Sequence, residues 1–321
     1  MGQEGEVSKE RVSELYRKLV LIRRFEEKVD EMFRKGKIYG SVHTSVGQEA
    51  VAVGVGEALG ERDLVMATHR GHGHCLMRKA DPKLMMAELF GKATGLCKGK
   101  GGSMHIIDVK KGMLGAQGIV GAGMPISTGV GVAIKMQKTG QVIVCFLGDN
   151  ASNGGPFHES LNVSALWKLP VVFVCENNLY GLSVSVRKSC CVEDIATRAK
   201  AYGIPGVVVD GMDVFAIHEA AREAVKRARE GSGPSLIECK TYRFLGHSRG
   251  DPPYGPYRTK EEWEKWKKKD PLPGFVKQTG LSPDEVQKIE TEVGLTIEEA
   301  VRFADESPEP ELRSALEDIY V

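Results

Sequence analysis

Two short apolar runs of this sequence are each followed at once by a polar segment that carries an acid and an amide. The run Gln141–Leu147 precedes Gly148-Asp149-Asn150-Ala151, and the run Pro170–Cys175 precedes Glu176-Asn177-Asn178. Both runs are rich in β-branched residues and lack alternation, which is typical of strands covered on both faces. Between them, residues 156–168 place apolar side chains on one helical face. The segment is therefore predicted to be a βαβ unit.

A βαβ unit of this kind predicts a binding site at one edge of a sheet. Its crossover is right-handed and its strands are parallel, and ligands of open parallel sheets bind beyond the carboxyl ends of the strands, where Asp149 and Asn178 follow. A carboxylate, an amide oxygen and a nearby backbone carbonyl suit magnesium, which completes its octahedron with phosphate and water. The alternative interpretation is that Asp149 caps a helix and the asparagines close turns.

The separation of the two polar segments resembles a known cofactor motif. From Ala151 to Glu176 lie 26 residues, and this spacing of a Gly-Asp-x segment from an Asn-Asn pair resembles the thiamine diphosphate motif of thiamine-dependent enzymes. From about Leu15 to Lys269 the chain resembles the alpha subunit of the decarboxylating component of 2-oxo acid dehydrogenase complexes, in the pyruvate and acetoin dehydrogenase branch. Further matching stretches are residues 43–50, 69–73, 98–105, 118–121, 209–213 and 241–248.

The resemblance implies which residues would hold the metal and the diphosphate. Asp149, Asn178 and the carbonyl of Tyr180 would hold magnesium. The backbone N–H groups of Asn150 and Ala151 would contact the diphosphate, as helix N-termini commonly do. Glycine is usual in the family at the position of Asn150, and asparagine tolerates a left-handed backbone better than most residues. We therefore expect the loop to keep its shape.

The resemblance also implies contacts to the rest of the cofactor. Arg70 matches the diphosphate-binding arginine of the family, and His69 stands before it where tyrosine is common. Gly118 and Val120 match the backbone positions that grip the aminopyrimidine ring.

Three histidines are the candidate catalytic residues that the resemblance implies. His247 matches a loop histidine close to the diphosphate and to the reacting carbon. His72 and His43 match residues near the mouth of the substrate channel.

Two stretches have rival interpretations. Imidazoles at close spacing can coordinate zinc, although the helical i, i+4 spacing of zinc proteases is absent here. The histidines concerned are His69, His72, His74 and His105. The stretch Gly99–Ser103 looks like a phosphate loop but lacks the Gly-x-x-x-x-Gly-Lys-Ser/Thr order. It is predicted to be a turn that packs near the cofactor.

The alternation of elements predicts a layered α/β fold: a mostly parallel sheet with helices on both faces, in the thiamine-diphosphate-binding fold. Residues 1–321 are predicted to be a single domain, with 260–321 as its C-terminal helical extension. The stretches 69–74 and 99–123 are predicted to be loops. Further predicted helices are 12–33, 48–59, 82–90, 121–137, 192–202 and 213–230, with one opening at Ser282, and further strands are 63–67, 206–209 and 234–241.

The stretch 243–258 contains too many glycines and prolines for a regular element, yet it is rich in functional side chains. It is predicted to be a loop that orders over a bound ligand. In the cofactor-free complex, Arg243, Arg249 and Arg258 are expected to be exposed tryptic sites in it, which become protected once thiamine diphosphate and magnesium bind.

Composition excludes several classes of function. A net charge of +1 gives no general attraction to nucleic acid or to acidic membranes. The seven cysteines show no Cys-x-x-Cys pair and read as reduced packing residues. No apolar run approaches the roughly 18 residues of a membrane span. The expected compartment is cytoplasmic, or a matrix-type space if a presequence was trimmed.

The predicted function follows from the resemblance. The chain would be the alpha subunit of a pyruvate-type 2-oxo acid dehydrogenase that uses thiamine diphosphate and magnesium. Cofactor activation in this family needs a glutamate of the partner beta subunit, so we expect an assembly of two alpha and two beta chains that acylates the lipoyl domain of an acyltransferase component. The alternatives are an acetoin dehydrogenase alpha subunit and a catalytically silent structural or sensor paralogue.

Overall fold

Six parallel strands form the central sheet of the computed structural model, which describes residues 8–318. Their order is β2-β1-β3-β4-β8-β7. The strands are β1 Leu64–Thr68, β2 Met113–Gln117, β3 Ile143–Gly148, β4 Val171–Asn177, β7 Gly206–Asp210 and β8 Ser235–Lys240. A small antiparallel pair, β5 Tyr180–Gly181 and β6 Val184–Ser185, follows β4. The predicted α/β fold with a mostly parallel sheet is confirmed.

Helices cover both faces of the sheet. They are α1 Lys9–Arg34, α2 Glu49–Glu57, α3 His72–Met77, α4 Pro82–Leu89, α5 Gly123–Gln137, α6 Gly155–Leu166, α7 Val186–Ser189, α8 Val214–Arg229, α9 Lys260–Lys267, α10 Pro271–Thr279 and α11 Pro283–Glu306. Short 3-10 helices span Val109–Lys111, Asp149–Asn153, Ile195–Tyr202 and Leu312–Leu316. Within residues 8–318, none of the helices has the length and hydropathy to cross a membrane.

The predicted βαβ unit is β3, α6 and β4. Along β3, Val144 and Phe146 belong to the core on one face of the sheet, while Cys145 and Leu147 belong to the core on the other face. Both faces of the strand are therefore dry, which explains why its sequence shows no alternation between apolar and polar residues.

The C-terminal helices pack back on the first helix. The hydroxyl of Tyr16 on α1 donates to Glu290 on α11 over 3.1 Å, and Arg23 on α1 forms an ion pair of 3.0 Å with Asp270 at the start of α10. The predicted start of α11 at Ser282 is a capping box, in which the Ser282 hydroxyl and the Glu285 carboxylate satisfy each other's backbone N–H groups.

Two elements lie in stretches that the sequence pattern predicts to be loops. Strand β2 lies in the glycine-rich stretch 99–123, and α3 begins inside the stretch 69–74. Strand β2 contains Gly115 and no β-branched residue, and α3 has only glycine at its N-cap, so neither carries the usual local signal. The predicted helix 192–202 is a 3-10 helix over Ile195–Tyr202.

The segment 243–258 forms no helix or strand, as predicted, but buried arginines hold it in place. Arg258 donates to the carbonyl groups of Arg243 at 2.9 Å and Leu245 at 2.6 Å, and its guanidinium lies 5.0 Å from the ring centre of Tyr242. Arg243 and Arg258 are only 1% and 2% exposed. The prediction that these two arginines are exposed tryptic sites is wrong, because both guanidinium groups are buried against acceptors: Arg258 donates to carbonyls of the loop itself, and Arg243 donates to His247 Nδ1 and to the Leu182 carbonyl.

Candidate functional site

A cavity of about 490 Å³ opens where β1, β2, β3 and β4 end. Most of the residues that the sequence nominates line it together: His43, His69, Arg70, Gly118, Val120, Asp149, Asn150, Ala151, Asn178, Tyr180 and His247. Most of them follow the ends of parallel strands, while His247 comes from the segment 243–258 and His43 from the connection between α1 and α2. The fold thus brings distant parts of the chain to one place.

Asp149 presents an unpartnered carboxylate oxygen. It follows β3, is 2% exposed, and accepts the Asn150 N–H through Oδ1 at 2.6 Å, while Oδ2 is buried without a hydrogen-bond partner. Burial raises the pKa of Asp149 to about 6, against the opposing effects of the Asn150 N–H and of Arg243. A cation at Oδ2 would offset the burial of this charge.

Asn178 presents a second unpartnered oxygen. Its Nδ2 donates to Gln48 Oε1 over 3.0 Å, which leaves the buried Oδ1 without a partner. Gln48 is itself fully buried at the start of α2. The carboxylate and amide oxygens that the sequence nominates for magnesium are thus both unsatisfied in this pocket.

The Asn150 side chain is accommodated by the residue opposite it. A Cβ on Gly181 would overlap the Asn150 carboxamide, and the Ser189 hydroxyl donates to Asn150 Oδ1 over 2.6 Å. The backbone of Asn150 lies in the 3-10 helix Asp149–Asn153 and is not left-handed. Asparagine is therefore accommodated by Gly181, and its tolerance of a left-handed backbone is not used here.

Two arginines are buried beside the pocket without an acidic partner. Arg70 donates to the carbonyl groups of Thr44 at 2.7 Å and His247 at 2.6 Å, and Arg243 donates to that of Leu182 at 3.2 Å. Neither guanidinium has a carboxylate within salt-bridge distance in the described part of the chain. Burial, with Arg243 nearby, lowers the pKa of Arg70 to about 9, so it remains charged at neutral pH. Two uncompensated positive charges favour a bound polyanion.

Three histidines meet at the pocket wall. The ring nitrogens of His43, His69 and His247 lie within 4.8 Å of one another. Burial, and then Arg70, lower the pKa of all three, that of His43 to about 4 and that of His247 to about 3, so the rings are neutral at pH 7. Arg70 and Arg243 are 3.2 and 2.8 Å from Nδ1 of His247. Because a guanidinium only donates, Nδ1 accepts and Nε2 carries the proton.

His72 lies elsewhere. It is fully buried on α3, with Nδ1 2.8 Å from Glu26 Oε2 and Nε2 3.1 Å from the Ser103 hydroxyl, and it does not line the cavity. The structure therefore does not place it at a channel mouth.

The other histidines of the proposed zinc group are also held apart. His74 contacts Glu176 at 3.2 Å. The zinc alternative has no support. Among residues 8–318, the histidines that come within metal-binding distance of one another are His43, His69 and His247, and of the four histidines of the zinc alternative only His69 is in this group.

The turn at Gly118 forms the outer wall of the cavity. A Cβ on Gly118 would come within 3.1 Å of the His105 ring, so the ring packs closely against this turn. The two residues that follow, Ile119 and Val120, are 73% and 66% exposed although both line the cavity. The cavity is thus open on an apolar rim.

Comparison with known proteins assigns the chain to a family. The sequence profile described as "Dehydrogenase E1 component" matches residues 17–313. This chain belongs to the dehydrogenase E1 component family.

Relatives in the E1 component family align over nearly the whole chain. The alpha subunit of acetoin:2,6-dichlorophenolindophenol oxidoreductase from Bacillus subtilis (strain 168) is 50% identical, over 98% of this chain and 95% of the relative. The subunit of the same name from Cupriavidus necator is 48% identical, over 98% and 96%. The pyruvate dehydrogenase E1 component subunit alpha of Rhizobium meliloti (strain 1021) is 41% identical, over 100% and 93%.

The sequence patterns do not identify Gln48 or Arg243 as residues of the candidate site. Gln48 orients the Asn178 amide, and Arg243 fixes the protonated nitrogen of His247. Both residues lie in stretches that resemble the family, which is the only indication the sequence gives. Their roles depend on hydrogen-bond partners in other parts of the chain, so no motif spacing predicts them.

Proposed function

We propose that this chain is the alpha subunit of a pyruvate-type 2-oxo acid dehydrogenase that uses thiamine diphosphate and magnesium. The observation that carries the proposal is the pairing of unsatisfied oxygens with unsatisfied positive charge in one cavity. Asp149 and Asn178 offer oxygens for a cation, and Arg70 on the cavity wall offers charge for an anion. Arg243 does not line the cavity, but its guanidinium contacts His247, which does. A magnesium diphosphate meets both needs at once.

The residues fit the cofactor in the following roles. Asp149, Asn178 and the carbonyl of Tyr180 hold magnesium, and Arg70 binds the diphosphate. The N–H of Ala151 is the remaining loop donor, since that of Asn150 donates to Asp149 Oδ1. Gly118 and Val120 hold the aminopyrimidine end with their backbone, and His69 lines the wall beside Arg70. When bound, thiamine diphosphate supplies a nucleophilic carbon that attacks a keto carbon and retains the electron pair of the bond that breaks.

The neutral histidines handle protons and hydrogen bonds at the open end. His247 directs an Nε2–H donor to bound oxygen atoms, because Arg243 and Arg70 occupy its Nδ1. His43 keeps Nδ1 buried and unpartnered, which leaves it for a ligand group. His72 does not line the cavity, and its hydrogen bonds give it the role of supporting Ser103 and Glu26.

A beta subunit closes the cavity in this proposal. The exposed rim of Ile119, Val120 and Leu182 is apolar, and it continues into a face of α5 where Gly129 and Ala133 are exposed. Small residues on an exposed helical face let another backbone approach closely. We propose two alpha and two beta chains, with the lipoyl domain of an acyltransferase component as the acceptor.

Acetoin cleavage is the second candidate reaction. One observation favours it: the two acetoin-related subunits are 50% and 48% identical to this chain, whereas the pyruvate dehydrogenase subunit is 41% identical.

The experiment is a side-by-side assay of the complex purified with its cognate beta subunit. Reduction of an artificial electron acceptor is followed with pyruvate, a branched 2-oxo acid or acetoin, with the chain alone as the control. The proposal expects pyruvate turnover by the complex and none by the chain alone. If the complex turns over acetoin and neither 2-oxo acid, the second candidate reaction is the correct one. Equal turnover without the beta subunit would contradict an active site shared between the alpha and beta chains.

A further inference from the structure

A buried carboxylate outside the cavity lies in a ring of backbone N–H groups. Glu88, on α4, is 0% exposed. Its Oε2 accepts from the N–H of Cys97 and of Gly99, both at 2.8 Å, and its Oε1 accepts from that of Gly101 at 2.8 Å and of Gly102 at 3.0 Å. No basic side chain of residues 8–318 forms an ion pair with it.

The N–H groups of this loop bind an anion as a phosphate loop does, but the anion belongs to the protein. Successive backbone N–H groups in a glycine-rich turn form a concavity that favours negative charge. Glycine is needed for the approach: a Cβ on Gly95 would overlap Glu88, and one on Gly101 would come within 2.6 Å of the His105 carbonyl. The stretch Gly99–Ser103 resembles a phosphate loop because its glycines let backbone N–H groups converge on an anion. Here that anion is the Glu88 carboxylate and not a phosphate.

The loop is coupled to the cavity at its far end. Met104 lines the cavity, and the His105 ring lies against Gly118, whose turn forms the cavity wall. Between these residues and Glu88, the Ser103 hydroxyl contacts His72, which contacts Glu26. The position of the wall therefore depends on the shape of residues 97–105.

We propose that Glu88 is a positioning residue whose carboxylate, held by four backbone N–H groups, fixes residues 97–105 and through them the cavity wall at Met104 and Gly118. The link to cofactor binding rests on the proposed function, whereas the anchoring of the loop does not. An amide in place of the carboxylate removes the charge and leaves one acceptor oxygen for four donors, so at least two N–H groups lose their partner.

Trypsin cleavage within the loop can report whether residues 97–105 are held in place. Lys98 and Lys100 are tryptic sites inside it, and both form ion pairs with Asp318. In the purified complex, Glu88→Gln is expected to raise the cleavage rate after Lys98 and Lys100 roughly tenfold or more, and to weaken thiamine diphosphate binding by a similar factor in calorimetry.

Glu88→Ala tests the anion itself. This variant leaves the N–H groups around an empty carboxylate position, so formate is expected to restore resistance to trypsin, whereas chloride at equal ionic strength is not. The matched control is Asp63→Asn at the opposite end of the sheet, because Asp63 is also buried and accepts from Gly60 and Val142. It is expected to lower the melting temperature and to leave both cleavage in the loop and cofactor affinity unchanged.

If Glu88→Gln is cleaved at the wild-type rate, or if formate does not restore resistance to trypsin in Glu88→Ala, then the Glu88 carboxylate does not hold residues 97–105 in place. If cleavage after Lys98 and Lys100 becomes faster while the affinity for thiamine diphosphate stays the same, then Glu88 does not act on the cavity wall. If the wild-type complex binds no thiamine diphosphate, the proposed function fails, while the protease and formate results still decide the anchor.

Discussion

Arg243 donates to Nδ1 of His247 over 2.8 Å and thereby fixes which nitrogen of that histidine faces the cavity as a donor. The same guanidinium has no acidic partner among the described residues and is buried, so it also acts on the histidine as a positive charge. Burial and the charges of Arg70 and Arg243 hold the pKa of His247 near 3.

Arg243→Gln is expected to raise the pKa of His247 by roughly one unit or more, because glutamine keeps a donor but removes the charge. Histidine carbon chemical shifts in labelled protein would measure it. His218 on α8 is the internal control, since its pKa is lowered mainly by burial and Arg243 is not among the charges that shift it. Identical titration of His247 in the two proteins would show that the arginine acts through geometry alone.

Asp149→Asn is expected to raise the stability of the cofactor-free protein. Burial raises the pKa of this carboxyl from 3.8 to about 6, so its ionised form destabilises the native state at pH 7 by about 3 kcal/mol. Asparagine has the same shape and removes that cost. Thermal unfolding without cofactor should show a higher melting temperature for the variant, and a lower one would contradict the burial of an unpaired charge.

Acid should weaken cofactor binding below about pH 6. A metal must displace the proton of Asp149 when its carboxyl is protonated, so affinity is expected to fall about tenfold per unit below that pH, with uptake of magnesium releasing a proton. The effect on the cofactor-free fold has the opposite sign, because a raised carboxyl pKa makes this group's contribution fall as pH rises from about 4 to 6. Calorimetry in buffers of different ionisation enthalpy measures the proton release, and a constant affinity from pH 5 to 7 would exclude Asp149 as the ligand.

Gly129→Leu is expected to block assembly with the beta subunit without unfolding the chain. A Cβ at Gly129 meets nothing within 4 Å, so the chain alone tolerates a side chain there. Gly294 on α11 is equally open, and Gly294→Leu is the matched control. Light scattering of alpha and beta mixtures should show the complex for the control only, and normal assembly of both variants would remove α5 from the interface.

The sequence predicts the strands of the βαβ unit well because both are dry on two faces and their composition alone identifies them. It also predicts Asp149 and Asn178, since polar residues that directly follow such strands must lie at the carboxyl edge of the sheet. It fails for β2, an edge strand without β-branched residues. It also fails for the burial of Arg243 and Arg258, because the acceptors of Arg258 lie 13 and 15 residues away within the same loop, and those of Arg243 are His247 Nδ1 and the carbonyl of Leu182. The fit of Asn150 against Gly181 depends on a contact between the 3-10 helix after β3 and strand β5, which no local pattern contains.

The oxygens of Asp149 and Asn178 are proposed to bind thiamine diphosphate through magnesium. Calorimetric titration of thiamine diphosphate into the alpha and beta complex, with magnesium or with EDTA, tests it most directly. We expect saturable binding with magnesium, at one site per alpha chain, and a large loss of affinity both in EDTA and in Asp149→Asn. Binding of equal affinity in EDTA, or in Asp149→Asn with magnesium, would contradict it.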